Sequence, residues 1–187
     1  VEATTDTGCP PVRIVSRGSF GGAATVKGDA SSQYLSGLLM VAPYAGRDVS
    51  IRVEGDLVSK PYIDLTIAMM NERGVVVANQ NYTRFDIPSG QTYRAGRYAI
   101  EADASGASYF FAAAAVAGGR VRVNNLAPTS HQGDVHFPRV LEKMGCGVKE
   151  GATWIEVFSK GPLHGIDIDL NAMPDMAQTL AVTALFA

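Results

Sequence analysis

The chain has 187 residues and a formal net charge of −2, with 47% hydrophobic and 18% charged residues, a balance that belongs to globular chains rather than to disordered or fibrous ones. No apolar run approaches the ~20 residues of a membrane-spanning helix, so no membrane insertion is expected. Basic residues are scattered, which gives no nucleic-acid footprint.

Residues 1 to 8 carry neither a basic start nor an apolar core, so they are no signal or transit peptide and the expected setting is the cytoplasm, or the plastid for a plant protein. Cys9 and Cys146 have no metal or redox spacing and are expected to be free thiols.

In chain order, Pro10 to Val15 and Ala23 to Lys27 flank a glycine-rich bend, Arg17 to Gly22, and read as a hairpin. A helix follows Asp29, and the alternating run Val49 to Glu54 reads as a strand. A second helix opens at Ser59-Lys-Pro-Tyr62. Ser59 suits its cap, Pro61 its first turn, and Gly74 its stop. Strands are expected at Val75 to Ala78, Arg84 to Ile87 and Arg97 to Glu101, separated by the turns Asn79 to Asn81 and Pro88 to Gly90. The order then repeats: a helix from Asp103, a strand Gly119 to Asn124, a helix from Asp134 to Met144, and strands near Thr153 to Phe158 and Gly165 to Leu170.

One pattern organises the whole. Gly28-Asp-Ala-Ser-Ser-Gln-Tyr-Leu-Ser-Gly-Leu-Leu-Met-Val-Ala42 recurs in altered form from Ala102 and from Met173, each time with an Asp ahead of an apolar helix, at intervals of roughly seventy residues. The fold class is therefore α/β of the α+β type, with repeated βαβαββ units whose helices pack on mixed sheets. One unit spans 28–101 and a second 102–172. Residues 1–27 read as the closing hairpin of an earlier unit and 173–187 as the opening helix of a later one, so the chain is expected to be a piece of a longer repeat protein.

The first N–H groups of a helix lack internal partners and carry the positive end of its dipole, so Ser31 and Ser32 could hold a phosphate there. The competing reading is that Asp29 or Ser31 only caps the helix, which is the commoner use of these residues. Ser59 is open to the same two readings, and Tyr62 to recognition or packing. Asp167 and Asp169 fall on one strand face, expected to be solvated. Asp175 after Pro174 reads by default as a cap. Ser130 to His136 brings His131, Asp134 and His136 together, but without a helical histidine pair and with Asp134 needed as a cap it reads as a solvated turn, and no metal is expected. There is no P-loop and no dinucleotide fingerprint, so no cofactor is expected.

Taken together, Gly28 to Met40, Gly55-Asp-Leu-Val-Ser-Lys-Pro-Tyr-Ile63, Glu101 to Phe110, Gln132-Gly-Asp134, Leu141-Glu-Lys-Met-Gly145 and Met173-Pro-Asp175 resemble the 5-enolpyruvylshikimate-3-phosphate synthases, which are enolpyruvyl transferases. The resemblance spans essentially the whole chain. It implies two lobes, each of three βαβαββ units, with the active site in the cleft between them; residues 1–100 would belong to the first lobe and 102–187 to the second. It implies transfer of the enolpyruvyl group of phosphoenolpyruvate to the 5-hydroxyl of shikimate 3-phosphate, in aromatic amino-acid biosynthesis, by an enzyme of the class that glyphosate targets.

By the same resemblance, Ser31, Ser32 and Gln33 bind shikimate 3-phosphate, Ser59 and Tyr62 add contacts to it, and Asp175 contacts its ring hydroxyls and is the candidate base. The family's lysine- and arginine-bearing segments for phosphoenolpyruvate do not occur in residues 1–187. The chain alone is therefore expected to lack turnover and to need the remaining segments of the synthase. The alternative is a non-catalytic phosphate-binding or assembly module that works with a partner chain. An enolpyruvyl transferase acting on a nucleotide sugar is disfavoured by the Ser-Ser-Gln and Ser-Lys-Pro-Tyr motifs.

Overall fold

The computed structural model describes residues 2–15, 18 and 20–187. Two short strands, β1 (Glu2–Ala3) and β2 (Val12–Arg13), pair antiparallel. β3 (Gly22–Lys27) pairs along its whole length with β4 (Val49–Glu54) in parallel, from Gly22 opposite Val49 to Lys27 opposite Glu54. The expected hairpin between Pro10 to Val15 and Ala23 to Lys27 does not form. A parallel pair needs a crossover connection, and α1 (Ser32–Val41) supplies it. Of the expected bend, Arg17 and Ser19 lie outside the described residues.

β4 continues through β6 (Arg84–Ile87) to β5 (Ala78–Gln80), both antiparallel, giving the order β3-β4-β6-β5. β5 falls later than expected. Asn79 and Gln80 belong to the strand, and Asn81 and Tyr82 make the turn with positive φ of 48° and 60°. The alternation predicted for β4 is present, with Val49, Ile51 and Val53 facing inward. They meet α1, through Leu35 and Leu39, and α2 (Lys60–Glu72), through Ile63 and Met70, around Phe85 and Ile87. Gly74 ends α2 in the left-handed region, at φ +85°, where a side chain would be strained.

The second half has its own core. α3 (Ala104–Ala117) buries Ala107, Phe111 and Ala115 against α4 (Phe137–Lys143) and a sheet of β7 (Arg120–Asn124), β8 (Gly147–Gly151) and β9 (Trp154–Phe158), ordered β7-β9-β8. That sheet is wholly antiparallel, not mixed as expected, because β8 is a strand that the sequence pattern does not announce; glycines bound it at both ends. Glu156 in β9 is buried and satisfied by Arg120 at 2.8 Å and Arg122 at 3.0 Å. Arg122 also lies over the Trp154 ring at 3.8 Å from its centroid.

Arg97 to Glu101 and Gly165 to Leu170 are not strands. Residues 97–101 are exposed and carry no ladder. Ile166, Ile168 and Leu170 do alternate with exposed Asp167 and Asp169, but without a pairing strand among the described residues. The expected helix from Asp134 splits into a 3-10 turn over Gly133–His136 and α4, and Gly145 closes it at φ +112°. A further 3-10 turn, Pro174–Met176, leads into α5 (Ala177–Ala184), which packs on α3 through a buried hydrogen bond of 3.1 Å between the Ser108 and Thr179 hydroxyls. No helix among the described residues is long and apolar enough to cross a membrane. Neither Cys9, which is exposed, nor Cys146, which is buried, is in a disulfide; burial pushes the Cys146 thiol up.

Candidate functional site between two helix ends and a turn

The amino ends of α1 and α2 lie side by side, and the turn at Pro174–Met176 faces them. Between these elements is a cleft of about 380 Å³, lined by Ser31, Ser32, Gln33, Ser59, Tyr62 and Asp175 together with flanking residues of α1 and α2. Every residue named from the sequence as a substrate contact is therefore in one cavity. Two hydrogen bonds at the Thr66 hydroxyl fix the helices to each other and to the first turn of α2: it donates to the Tyr62 carbonyl at 2.8 Å and pairs with the Ser36 hydroxyl at 3.1 Å.

Each residue reaches the cleft for a local reason. Ser31 is the cap of α1: its backbone is extended and its Oγ accepts the Gln33 N–H at 3.2 Å. Of the two expected cap candidates, Asp29 and Ser31, the helix uses Ser31, so the Asp that precedes it does not cap this copy. Ser31 stands two residues nearer the first helical N–H groups and takes that position. Ser32, the first residue of α1, is buried at the cleft wall.

Ser59 occupies the cap position of α2 without capping it. Its backbone is left-handed, at φ 57° and ψ 40°, and no side-chain hydrogen bond reaches the helix. A serine held there stores strain on the order of 1 kcal/mol, and residues strained in this way cluster at active sites and ligand clamps. Two helix amino ends thus face one cavity, and both present positive potential to it. No Lys or Arg is among the residues lining the cleft.

Tyr62, in the first turn of α2, lines the cleft. Its hydroxyl donates to Asp134 Oδ1 at 3.0 Å. Burial, and after it the negative charges of Asp134 and Asp175, hold the phenol protonated far above its ordinary range. Asp175 is exposed and is not a cap: the caps of the turn and of α5 are Met173 and Met176, neither using a side chain. Pro174 precedes it in the turn and fixes the backbone that points it at α1 and α2.

The residue that sequence reasoning missed is Asp134. It was expected to cap a helix, yet the 3-10 turn starts after Gln132 with no side-chain cap. Asp134 is instead 3% exposed and accepts two hydroxyls, Tyr62 from the first half and Ser105 from α3 in the second. The available signal was its place within Gln132-Gly-Asp134, where a small residue precedes a carboxylate. His131 and His136 in the same segment are exposed, and no cluster of three or more His, Cys, Asp or Glu side chains among the described residues could hold a metal ion.

Comparisons with known proteins agree with one another. The family model described as EPSP synthase (3-phosphoshikimate 1-carboxyvinyltransferase) matches residues 1–187. A Proteus mirabilis protein named 3-phosphoshikimate 1-carboxyvinyltransferase is 52% identical over 179 residues, and one of the same name from Yersinia pestis bv. Antiqua is 55% identical over 180; each match covers 95% of this chain and 41% of the relative. The chain thus spans about two fifths of the length of the curated relatives it matches. EPSP synthase from Acinetobacter baumannii has a similar fold, with a TM-score of 0.66 at 21% identity over 96% of this chain and 41% of that one. With a family model matched along its entire length and relatives above half identical, the chain belongs to the EPSP synthase family.

Proposed function

We propose that this chain supplies the shikimate 3-phosphate half of an EPSP synthase active site, and that the whole protein transfers the enolpyruvyl group of phosphoenolpyruvate to the 5-hydroxyl of that substrate in the cytoplasm. The observation that carries this reading is the convergence of Ser31, Ser32, Gln33, Ser59, Tyr62 and Asp175 on one cleft at two helix amino ends. The N–H groups and serine hydroxyls of α1 take the phosphate, the strained Ser59 adds a donor, and Tyr62 forms the wall on which the ring rests.

Asp175 sits across the cavity, where a ring hydroxyl would lie, and acts as base toward the attacking 5-hydroxyl. In that reaction the hydroxyl oxygen bonds to the enolpyruvyl carbon while the methylene takes a proton. The methyl carbon then gives a proton back, the carbon–phosphate oxygen bond breaks, and inorganic phosphate leaves.

Two anionic substrates meet here, and the cleft is lined by no cation among the residues present. Helix ends offset part of that charge, and cationic clamps from further polypeptide must offset the rest. The 187-residue chain alone should therefore have negligible turnover. The test is release of inorganic phosphate and formation of product by mass spectrometry. A polypeptide of the relatives' full length carrying this segment should turn over, and Asp175→Ala in it should lower kcat by about 10²–10⁴-fold. Turnover by the chain alone, or an Asp175→Ala protein of unchanged kcat, would refute the assignment.

A further inference from the structure

The two halves of the chain have separate cores, so a cleft with Ser31 and Tyr62 on one side and Asp175 on the other depends on what joins them. Near the cleft the joint is small and specific. Asp134 takes the Tyr62 hydroxyl of α2 on one carboxylate oxygen and the Ser105 hydroxyl of α3 on the other. Beside it Gly133 is packed so closely that an added Cβ would stand 2.9 Å from Pro61 Cβ and 3.0 Å from the Ala172 carbonyl. The turn Gly133–His136 is thereby pressed onto the start of α2, and Asp134 is shut away from water.

A carboxylate so enclosed is strongly disfavoured unless hydrogen bonds satisfy it. Here each of its two oxygens is satisfied by one hydroxyl. Asp134 lies outside the cavity that Asp175 lines, so it has no direct hold on a ligand there.

We propose that Asp134 is a positioning residue: it anchors the Tyr62 hydroxyl, fixes the angle of the ring that walls the substrate cleft, and ties α2 to α3 so that the two sides of the cleft keep one spacing. This rests on the reading of the cleft as a shikimate 3-phosphate site. Tyr62 has a single hydroxyl proton. Given to Asp134, it is withheld from Asp175, whose carboxylate also lies near the Tyr62 hydroxyl.

The experiment measures shikimate 3-phosphate affinity by calorimetry for the protein, for Asp134→Ala, Asp134→Asn and Tyr62→Phe, and for the Tyr62→Phe/Asp134→Ala pair. Asp134→Ala should weaken binding about tenfold, the effect of losing one hydrogen bond to a charged group. Asp134→Asn keeps an acceptor for Tyr62 and should restore most of the loss. In the Tyr62→Phe background, Asp134→Ala should cost nothing further. Full additivity, or equal loss in the Asn and Ala variants, would overturn the proposal.

A second readout is independent of the ligand: the ring ¹³Cζ resonance of Tyr62, assigned by its absence in Tyr62→Phe. It should shift in Asp134→Asn and Ser105→Ala. If it stays where it is in both, Asp134 does not hold Tyr62. If the resonance shifts but the wild type binds no shikimate 3-phosphate, the anchor stands and the substrate assignment fails.

Discussion

The same small-residue motif opens α1 and α3 and meets two fates. At α1, Ser31 caps its helix while remaining at the wall of an open cleft, with Ser32 beside it. At α3, Asp103 caps by accepting the Ser105 N–H at 3.0 Å, and the Ser105 hydroxyl is spent on the buried Asp134. Gln132 adds a further closure at α3, accepting the Ala104 N–H at 2.8 Å. One helix end opens on the cleft, and the other is sealed into a joint between the halves. A repeat in sequence therefore marks a repeated helix start, and what that end does depends on what the neighbouring turn delivers.

The largest effects expected are on the separateness of the two cores. Trp154, the chain's single tryptophan, reports on the second half from β9. Phe111→Ala should lower the stability read by its fluorescence in urea by ~3–5 kcal/mol, the usual cost of deleting a buried aromatic side chain. Phe85→Ala, buried equally deeply in the first core, should move the same signal less, because a small polar joint and not a shared core connects the halves. Equal shifts would make the chain a single cooperative unit.

Gly133→Ala tests the joint itself. Its Cβ meets backbone as well as a proline ring, neither of which can swing aside, so a loss of ~1–3 kcal/mol is expected in urea denaturation, as for other overpacked sites. A neutral Gly133→Ala would mean that the turn is free to retreat from α2.

Asp103→Ala removes only a cap and should cost about 1 kcal/mol of stability. It should leave shikimate 3-phosphate affinity unchanged, whereas Ser31→Ala should lower both. If Asp103→Ala weakens binding as much as Ser31→Ala, the contrast between the open and the sealed helix end is wrong.

The smallest effect is on alkaline pH dependence. Tyr62 has its folded-state pKa raised, by burial first and by Asp134 and Asp175 after it. Below about pH 10, the ordinary range of an unfolded tyrosine, its contribution is complete; as pH rises beyond that, the unfolded chain releases the proton and the folded one does not, so stability falls. Tyr62→Phe should flatten that decline between about pH 10 and 11 in thermal melts. An unchanged slope would mean that the phenol is no more enclosed in the folded chain than in the unfolded one.

Much of this was legible in the residues. β4 shows its alternation, α2 shows Pro61 and Gly74 at its ends, and the motifs that carry Ser31, Ser32, Gln33, Ser59, Tyr62 and Asp175 meet at one cleft. What the sequence did not carry were pairings decided at a distance. β3 looks like a hairpin partner because glycines precede it, yet its ladder is with β4 across a whole helix. β8 was hidden because Gly147 and Gly151 weaken its local strand signal. Asp134 was misread because an Asp after Gly and before an apolar run has the local signature of a cap; only the approach of Tyr62 and Ser105 from elsewhere makes it a buried anchor.

The most direct test of the central claim is calorimetric titration of the folded protein with shikimate 3-phosphate, beside the Ser31→Ala/Ser32→Ala double variant. Our account predicts saturable binding that the double variant weakens by about 10²-fold, two hydroxyl contacts to a phosphate being removed. Binding of equal strength in both proteins would contradict it, and would place the phosphate somewhere other than the amino end of α1.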